Sequence, residues 1–290
     1  MIYTAMASSL VAATFLAAAG MSNTAAAADT HLEANKRIVE MFTSDAWGNK
    51  DEALVRKLIS ADFIQHNPHT GDGPEAIIGT FPYISPQIRT VRIIAEGDLV
   101  VSHNDSTGWG DGKRYVSFDI FRVKNGKIIE HWDAMQPYEE KTLSGHSMID
   151  GAAEIKDLDK TELNKKVVGL FMKTVVYGGD FSKVANFISS ETYIQHNPHV
   201  GDGLGGFADA MAEMHKKGLS MTYDETFRVI AEGDFVFVHS KGTFGGKKVV
   251  FADLMRLENG MIVEHWDAIQ PEVPAHETKS GHDMFTQVSN

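Results

Sequence analysis

Apolar positions along this 290-residue chain follow two different periods in turn, and the whole succession occurs twice. In LEANKRIVEMF (32–42) and DEALVRKLI (51–59) they recur every three or four residues, the spacing of an amphipathic helix. ELNKKVVGLFMKTVV (162–176) and FSKVANFI (181–188) repeat that pattern. Downstream of each helical pair the period falls to two. TFRVIA, FVFVHSKGTF, KKVVFADLMRL and MIVEHWDAIQ, between 226 and 270, are separated by EGD, GG and ENG, and so predict a meander of strands joined by tight turns. Helices followed by such a meander predict an α+β domain with its helices on one face of an antiparallel sheet.

The duplication extends to words. IQHNPHTGDG at 64–73 returns as IQHNPHVGDG at 194–203, VRIIAEGDLVVSH at 91–103 as FRVIAEGDFVFVH at 227–239, EHWDAMQP at 130–137 as EHWDAIQP at 264–271, and SGHSM at 144–148 as SGHDM at 280–284. Order is kept while loop lengths change, which identifies two homologous domains, 30–148 and 161–288, joined by a polar linker at 149–160. The copies differ after the shared phrase. GGFADAMAEMHKKG in the second predicts a third helix, whereas Pro82 and Pro86 forbid one long helix in the first, so the second domain is expected to hold the better-formed pocket.

Composition narrows the functional classes. A formal charge of −12 disfavours nucleic acid and anionic membrane surfaces as partners. There are no cysteines, hence no disulfides, thiolate nucleophile or cysteine-ligated metal. Residues 1–28 carry no Asp, Glu, Lys or Arg, and the apolar run SLVAATFLAAAGM precedes the small-residue stretch NTAAAAD. That is the grammar of a signal peptide cleaved near Ala28, giving a periplasmic or secreted protein; the run is too short to span a membrane.

Strand parity places the chemistry. Asp119 in YVSFDIFRV and Asp253 in VVFADLMRL each sit within a largely apolar row. The hairpin at VKNGKI admits two registers. A two-residue Asn-Gly turn sets Asp119 opposite Trp132, and a three-residue loop sets it opposite His131. The second keeps apolar opposite apolar and is the expected one, with His265 opposite Asp253. Each domain then carries an Asp–His pair on an apolar face, a candidate general acid/base whose bland alternative is a structural pair. His66, Asn67 and His103, with their copies His196, Asn197 and His239, are candidate ligand-lining residues. Neither metal nor cofactor is expected. The spacing offers His66, His69 and Asp72 as ligands, but H-x-x-H through Asn-Pro is a turn and makes no convergent set. Trp132 and Trp266 fall on the opposite face, which needs a cover, and the other domain is the expected one, packed as an intramolecular pseudo-dimer.

Taken together, YIQHNP-x-x-x-DG, RVIAEGD-x-V-x-VH and D-x-x-R-x-ENG-x-I-x-EHWD-x-x-QP resemble the SnoaL-like polyketide cyclases of the nuclear-transport-factor-2-like superfamily, over nearly all of both repeats. The resemblance implies two tandem cone-shaped domains, each a curved sheet wrapped by helices around a pocket. It also implies that Asp119 and Asp253 occupy the strand position of an acid/base aspartate used in aldol-type cyclisation. In related ketosteroid isomerases the general base falls where this chain has Asn67 and Asn197, and an amide cannot take a proton. Three readings follow. The first is an aldol-type cyclase or isomerase working through an enolate of a small hydrophobic carbonyl compound, with His131 and His265 tuning the aspartates and Asn67 and Asn197 orienting the substrate oxygen. The second is a non-catalytic binder of a small apolar or aromatic molecule, and the third a scaffold.

Overall fold

The computed structural model describes residues 30–288, so the expected leader over 1–28 lies outside the described residues. Helix α1 (30–40) continues into a π-helical stretch, Met41–Gly48. Helix α2 (Glu52–Leu58) starts where the Asp51 side chain accepts the Leu54 N–H at 3.0 Å, an N-cap. Then come β1 (Ile59–Gln65), a six-residue α3 (Gly73–Ile78), β2 (Gln87–Glu96), β3 (Leu99–Thr107), β4 (Tyr115–Lys124) and β5 (Lys127–Pro137). The second half repeats the order with α4 (Thr161–Phe171), β6 (Ile194–Gln195), α5 (Gly203–Lys216), β7 (Met221–Glu232), β8 (Phe235–Phe244), β9 (Lys247–Glu258) and β10 (Met261–Pro271). FSKVANFI forms only a short 3₁₀ turn, Phe181–Asn186, whereas the extra residues of the second copy do form the third helix, α5.

Each half is one α+β domain around a five-stranded sheet, ordered β1-β5-β4-β3-β2 and β6-β10-β9-β8-β7. The sheets are mixed rather than antiparallel. The chain leaving α2 enters β1 parallel to β5, and β6 enters parallel to β10, so the first residues of the repeated phrase are edge-strand residues. One face of each sheet packs on its own helices. In the first domain Val39, Phe42, Val55, Leu58 and Phe63 meet Val100, Phe121 and Val123 there.

The hairpin register departs from both alternatives read in the sequence. Asn125 and Gly126 have φ of 52° and 74°, and Lys124 pairs with Lys127, so the turn is the two-residue, left-handed kind. A bulge between Arg122 and Val123 then leaves Ile129 without an opposite number and slips the ladder by one residue. Asp119 therefore lies opposite Asp133, and His131 opposite Phe121. The second domain repeats this, with Asp253 opposite Asp267 and His265 opposite Met255. The observed register sets a second aspartate of the Asp–His face directly opposite the first.

The other faces of the two sheets pack against each other. Ile94, Val101, Phe118, Ile120 and Ala134 from one and Ile230, Phe237, Val250, Leu254 and Ala268 from the other form a single cluster with both Trp132 and Trp266, each 0% exposed. Trp132 stacks on His66 of its own domain (centroids 4.9 Å) under the Arg228 guanidinium of the other (3.6 Å). Trp266 stacks on His196 (4.7 Å) under Arg92 (4.0 Å). The segment following each sheet crosses to the opposite domain. Asp150 O accepts the Trp266 indole N–H at 2.9 Å, and Thr286 O accepts that of Trp132 at 3.1 Å. Residues 149–152 are thus an interface strap rather than a free linker, with Ile149 buried and the Arg92 guanidinium donating to the carbonyls of Ile149, Asp150 and Ala152.

Much of the duplicated vocabulary serves this contact. Gln136 Oε1 accepts the Ile269 N–H and Gln270 Oε1 that of Met135, at 2.8 and 2.7 Å. Glu232 accepts the Ala95 N–H and Glu96 that of Ala231. His282 meets Asp72 at 3.0 Å, and His146 meets Asp202 at 3.2 Å. The repeated phrase is therefore gripped, in each domain, by the SGH strap of the other.

Candidate active site

On the helix-covered face of the first sheet, Asp119, His131 and Asp133 converge from β4 and β5. One ligand-type atom from each lies within 4.8 Å of the others, and Asp253, His265 and Asp267 do the same in the second domain. The Asp–His contact is present although the residues are not directly opposite: His131 Nε2 reaches diagonally to Asp119 Oδ1 at 3.1 Å, as does His265 Nε2 to Asp253 Oδ1.

The hydrogen bonds around the triad fix where protons must be. Gln65 Oε1 accepts the Asn67 N–H at 2.9 Å, which identifies it as the amide oxygen. His131 Nδ1, 2.8 Å from that oxygen, must then carry a hydrogen. A neutral ring would turn the Nε2 lone pair toward a carboxylate oxygen at 3.1 Å, a repulsive arrangement. One proton therefore belongs on the line between His131 and Asp119. Gln195, His265 and Asp253 reproduce this arrangement.

Asp119 is fully engaged. Its Oδ2 accepts from Asn104 Nδ2 at 2.8 Å and from Ser117 Oγ at 2.7 Å, while Oδ1 faces His131. Asp133 is not. Its Oδ2 accepts from Asn67 Nδ2 at 2.6 Å, but Oδ1 is buried without a partner, as is Asp267 Oδ1. Burial pushes the Asp133 carboxyl above the usual carboxylate range; His131 and Asn67 pull it down and the Asp119 charge adds to the rise. Asp267 is raised for the same reasons beside His265 and Asp253. Burial alone would lower His265, but its bond to Asp253 and the charges of Asp267 and Asp253 outweigh this and raise it.

The remaining sequence candidates divide by face. Asn67 and Asn197 reach the triads, but as supports: each amide donates to Asp133 or Asp267 while its oxygen accepts the N–H of His69 or His199, so neither is set to orient a substrate oxygen. His66, His103, His196 and His239 do not line this site. They point to the domain interface, His66 between Glu130 and the Asp283 carbonyl, and His103 stacked on Phe118 at 4.3 Å with Nδ1 facing Arg92. Alternation along β3 puts His103 opposite in direction to Ser102 and Asn104, which face Asp119. Nor do His66, His69 and Asp72 converge; Asp72 Oδ1 accepts the Gln65 N–H and its Oδ2 meets His282. Asp133 and Asp267 are the residues the sequence reading missed. Their signal was present, because each follows its histidine by two and so shares its face.

The two copies have diverged around the shared triad. Where the first domain has Ser117, the second has Phe251, on which Tyr223 stacks with centroids 4.1 Å apart. The Tyr223 hydroxyl lies 3.2 Å from both Asp253 oxygens. At the first domain a cavity of about 430 Å³ is lined by Thr43, Gly48, Ile88, Arg89, Ser106 and Arg114 among others. Ser106 shares the face of Asn104 and Asp119, so this groove meets the triad's row at its outer end. In the second domain, expected to hold the better-formed pocket, Asp253 is covered by the Tyr223–Phe251 pair.

The SnoaL-like domain family matches residues 38–131 and 170–265, and the chain belongs to that family, with two tandem copies of its domain. Among solved structures it is similar to IdmH of Streptomyces antibioticus (21% identity over 35% of this chain and 91% of that one, TM-score 0.31). It is also similar to TsrD of Streptomyces laurentii (22%, 36% and 89%, TM-score 0.31) and to an epoxide hydrolase of M. tuberculosis (18%, 37% and 85%, TM-score 0.33). No curated protein matches the chain.

Proposed function

We propose that this protein catalyses proton transfer on a small hydrophobic carbonyl compound through an enolate, as an aldol-type cyclase or isomerase, and that the first domain holds the working site. The observation that carries the reading is Asp133 Oδ1, a buried and unpartnered carboxylate oxygen beside a pair that already holds a proton. Asp133 is the general base. Its raised affinity for a proton suits removal of a hydrogen next to a carbonyl, and Asn67 fixes its orientation. The proton held between Asp119 and His131 is the acid of the site: as charge develops on the enolate oxygen it leaves that bond to neutralise it, while Gln65 holds the imidazole in the required tautomer. The second domain keeps the same triad under Tyr223 and serves mainly to cover the first domain's outer face.

Hydrogen exchange tests this without knowledge of the final product. A panel of aryl ketones and 1,3-dicarbonyl compounds in D₂O is followed by mass spectrometry for deuterium uptake at the α-carbon. The reading expects catalysed uptake for some member, reduced about 10²–10⁴-fold by Asp133→Asn. Ligand binding with no uptake by any member supports the binder instead.

A further inference from the structure

The triads have a second property that proton transfer does not use. Each brings two carboxylates and one imidazole within 4.8 Å of one another, and in the first domain each of the three is held by a neighbour. Asn104 and Ser117 hold Asp119, Gln65 holds His131, and Asn67 holds Asp133. A ring nitrogen whose partner nitrogen donates to a fixed acceptor is how protein histidines are set to ligate metal. Bonds of about 2.0–2.2 Å to a shared ion place ligand atoms about 3–3.6 Å apart. Asp119 Oδ1 and His131 Nε2 are already 3.1 Å apart, and all three residues have atoms within 4.8 Å of one another. An independent observation points the same way. Asp133 is 5% exposed, and its Oδ1 is a buried acceptor with nothing to accept, a defect repeated at Asp267.

We infer that Asp119, His131 and Asp133 form a binding site for a divalent first-row metal ion, and that Asp253, His265 and Asp267 form a second. One nitrogen and two carboxylate oxygens suit ions of the zinc, cobalt and manganese class better than thiolate-seeking ions, and leave coordination positions open. The ion occupies the same two carboxylates and imidazole that the proposed reaction uses. The site shares its residues with the proposed reaction but does not depend on it. An ion there acts as an inhibitor of proton transfer.

The test is titration of the chelator-treated full chain with cobalt(II) chloride, read by visible absorption and by calorimetry. The expected result is two ions per chain. Asp133→Asn should reduce the count to one, and Asp133→Asn with Asp267→Asn to none, while circular dichroism stays native. His69→Ala with His199→Ala, exposed histidines of the repeated phrase, should change nothing. Uptake that is absent, or unchanged in the folded double aspartate variant, overturns the inference. Should α-proton exchange also be found, cobalt must suppress it in step with occupancy; exchange that continues at full occupancy equally overturns it. Cobalt binding without exchange toward any carbonyl probe would instead sink the proposed reaction and leave the metal site standing.

Discussion

Glu232 lies where the two domains meet, and its replacement by alanine measures that contact. Its carboxylate bridges the boundary twice, accepting from Lys36 Nζ at 2.6 Å and from the Ala95 N–H at 2.6 Å. The Lys36 and Glu232 side chains are only 7% and 9% exposed, so removal of the carboxylate leaves a buried ammonium and a buried amide short of a partner. Breaking a buried pair costs about 3–5 kcal/mol. Lys36 keeps Glu33 at 2.8 Å, which places the loss near the lower end, about 3 kcal/mol. For a protein of this size each kcal/mol moves Tm by about 2–4 °C, so the expected drop is about 6–12 °C. The pseudo-symmetric Glu96→Ala is the internal control. The Glu96–Lys165 pair is about one-third exposed at each end, and solvent screens it, so the expected cost is about 1 kcal/mol. Calorimetric melting of both variants, with Lys36→Met to close a double-mutant cycle against Glu232→Ala, is the assay. Equal losses from Glu232→Ala and Glu96→Ala, or a Glu232→Ala drop under about 2 °C, would refute the packing argument.

Two other expectations concern pH and export. Burial, with Arg92 beside His103 and Arg228 beside His239, holds both imidazoles well below their ordinary pKa, so the unfolded chain takes up protons that the folded one refuses. Stability from this source is complete above pH ~6.5 and falls as pH drops through that value; His103→Asn with His239→Asn, which keep an acceptor for the arginines, should flatten the dependence of Tm between pH 7 and 5. We also propose that residues 1–28 direct export, so amino-terminal sequencing of protein recovered outside the cytoplasm should begin close to residue 29, and an intact start there would contradict this.

The sequence shows the duplication, the strand meander and the need to cover Trp132 and Trp266, because these depend on repeats and periodicity that survive without coordinates. The active-site register does not show. It depends on a one-residue bulge at Ile129, and a bulge leaves no periodic trace in KIIEHWD. The slip decides only that Asp133 lies opposite Asp119; its place on the Asp–His face was legible from its spacing from His131 alone. Repetition also misled in one respect: His66, His103, His196 and His239 are duplicated like the site residues, but duplication of a two-domain chain preserves its interface as well as its pockets. Pro82 and Pro86 correctly excluded a long helix, but nothing in them announces the Tyr223–Phe251 pair that covers Asp253.

The claim that one triad of the two performs proton transfer is tested most directly by comparing matched variants in the deuterium-exchange assay. Asp119→Asn and Asp133→Asn alter the first domain, and Asp253→Asn and Asp267→Asn the second, each read on the carbonyl probe that the unaltered chain exchanges fastest. Loss of about 10²–10⁴-fold is expected from either first-domain change, with the second-domain pair remaining within about two- to threefold of the unaltered chain. Exchange that survives both first-domain changes, or that falls as far with the second-domain pair in protein of native melting temperature, would contradict it.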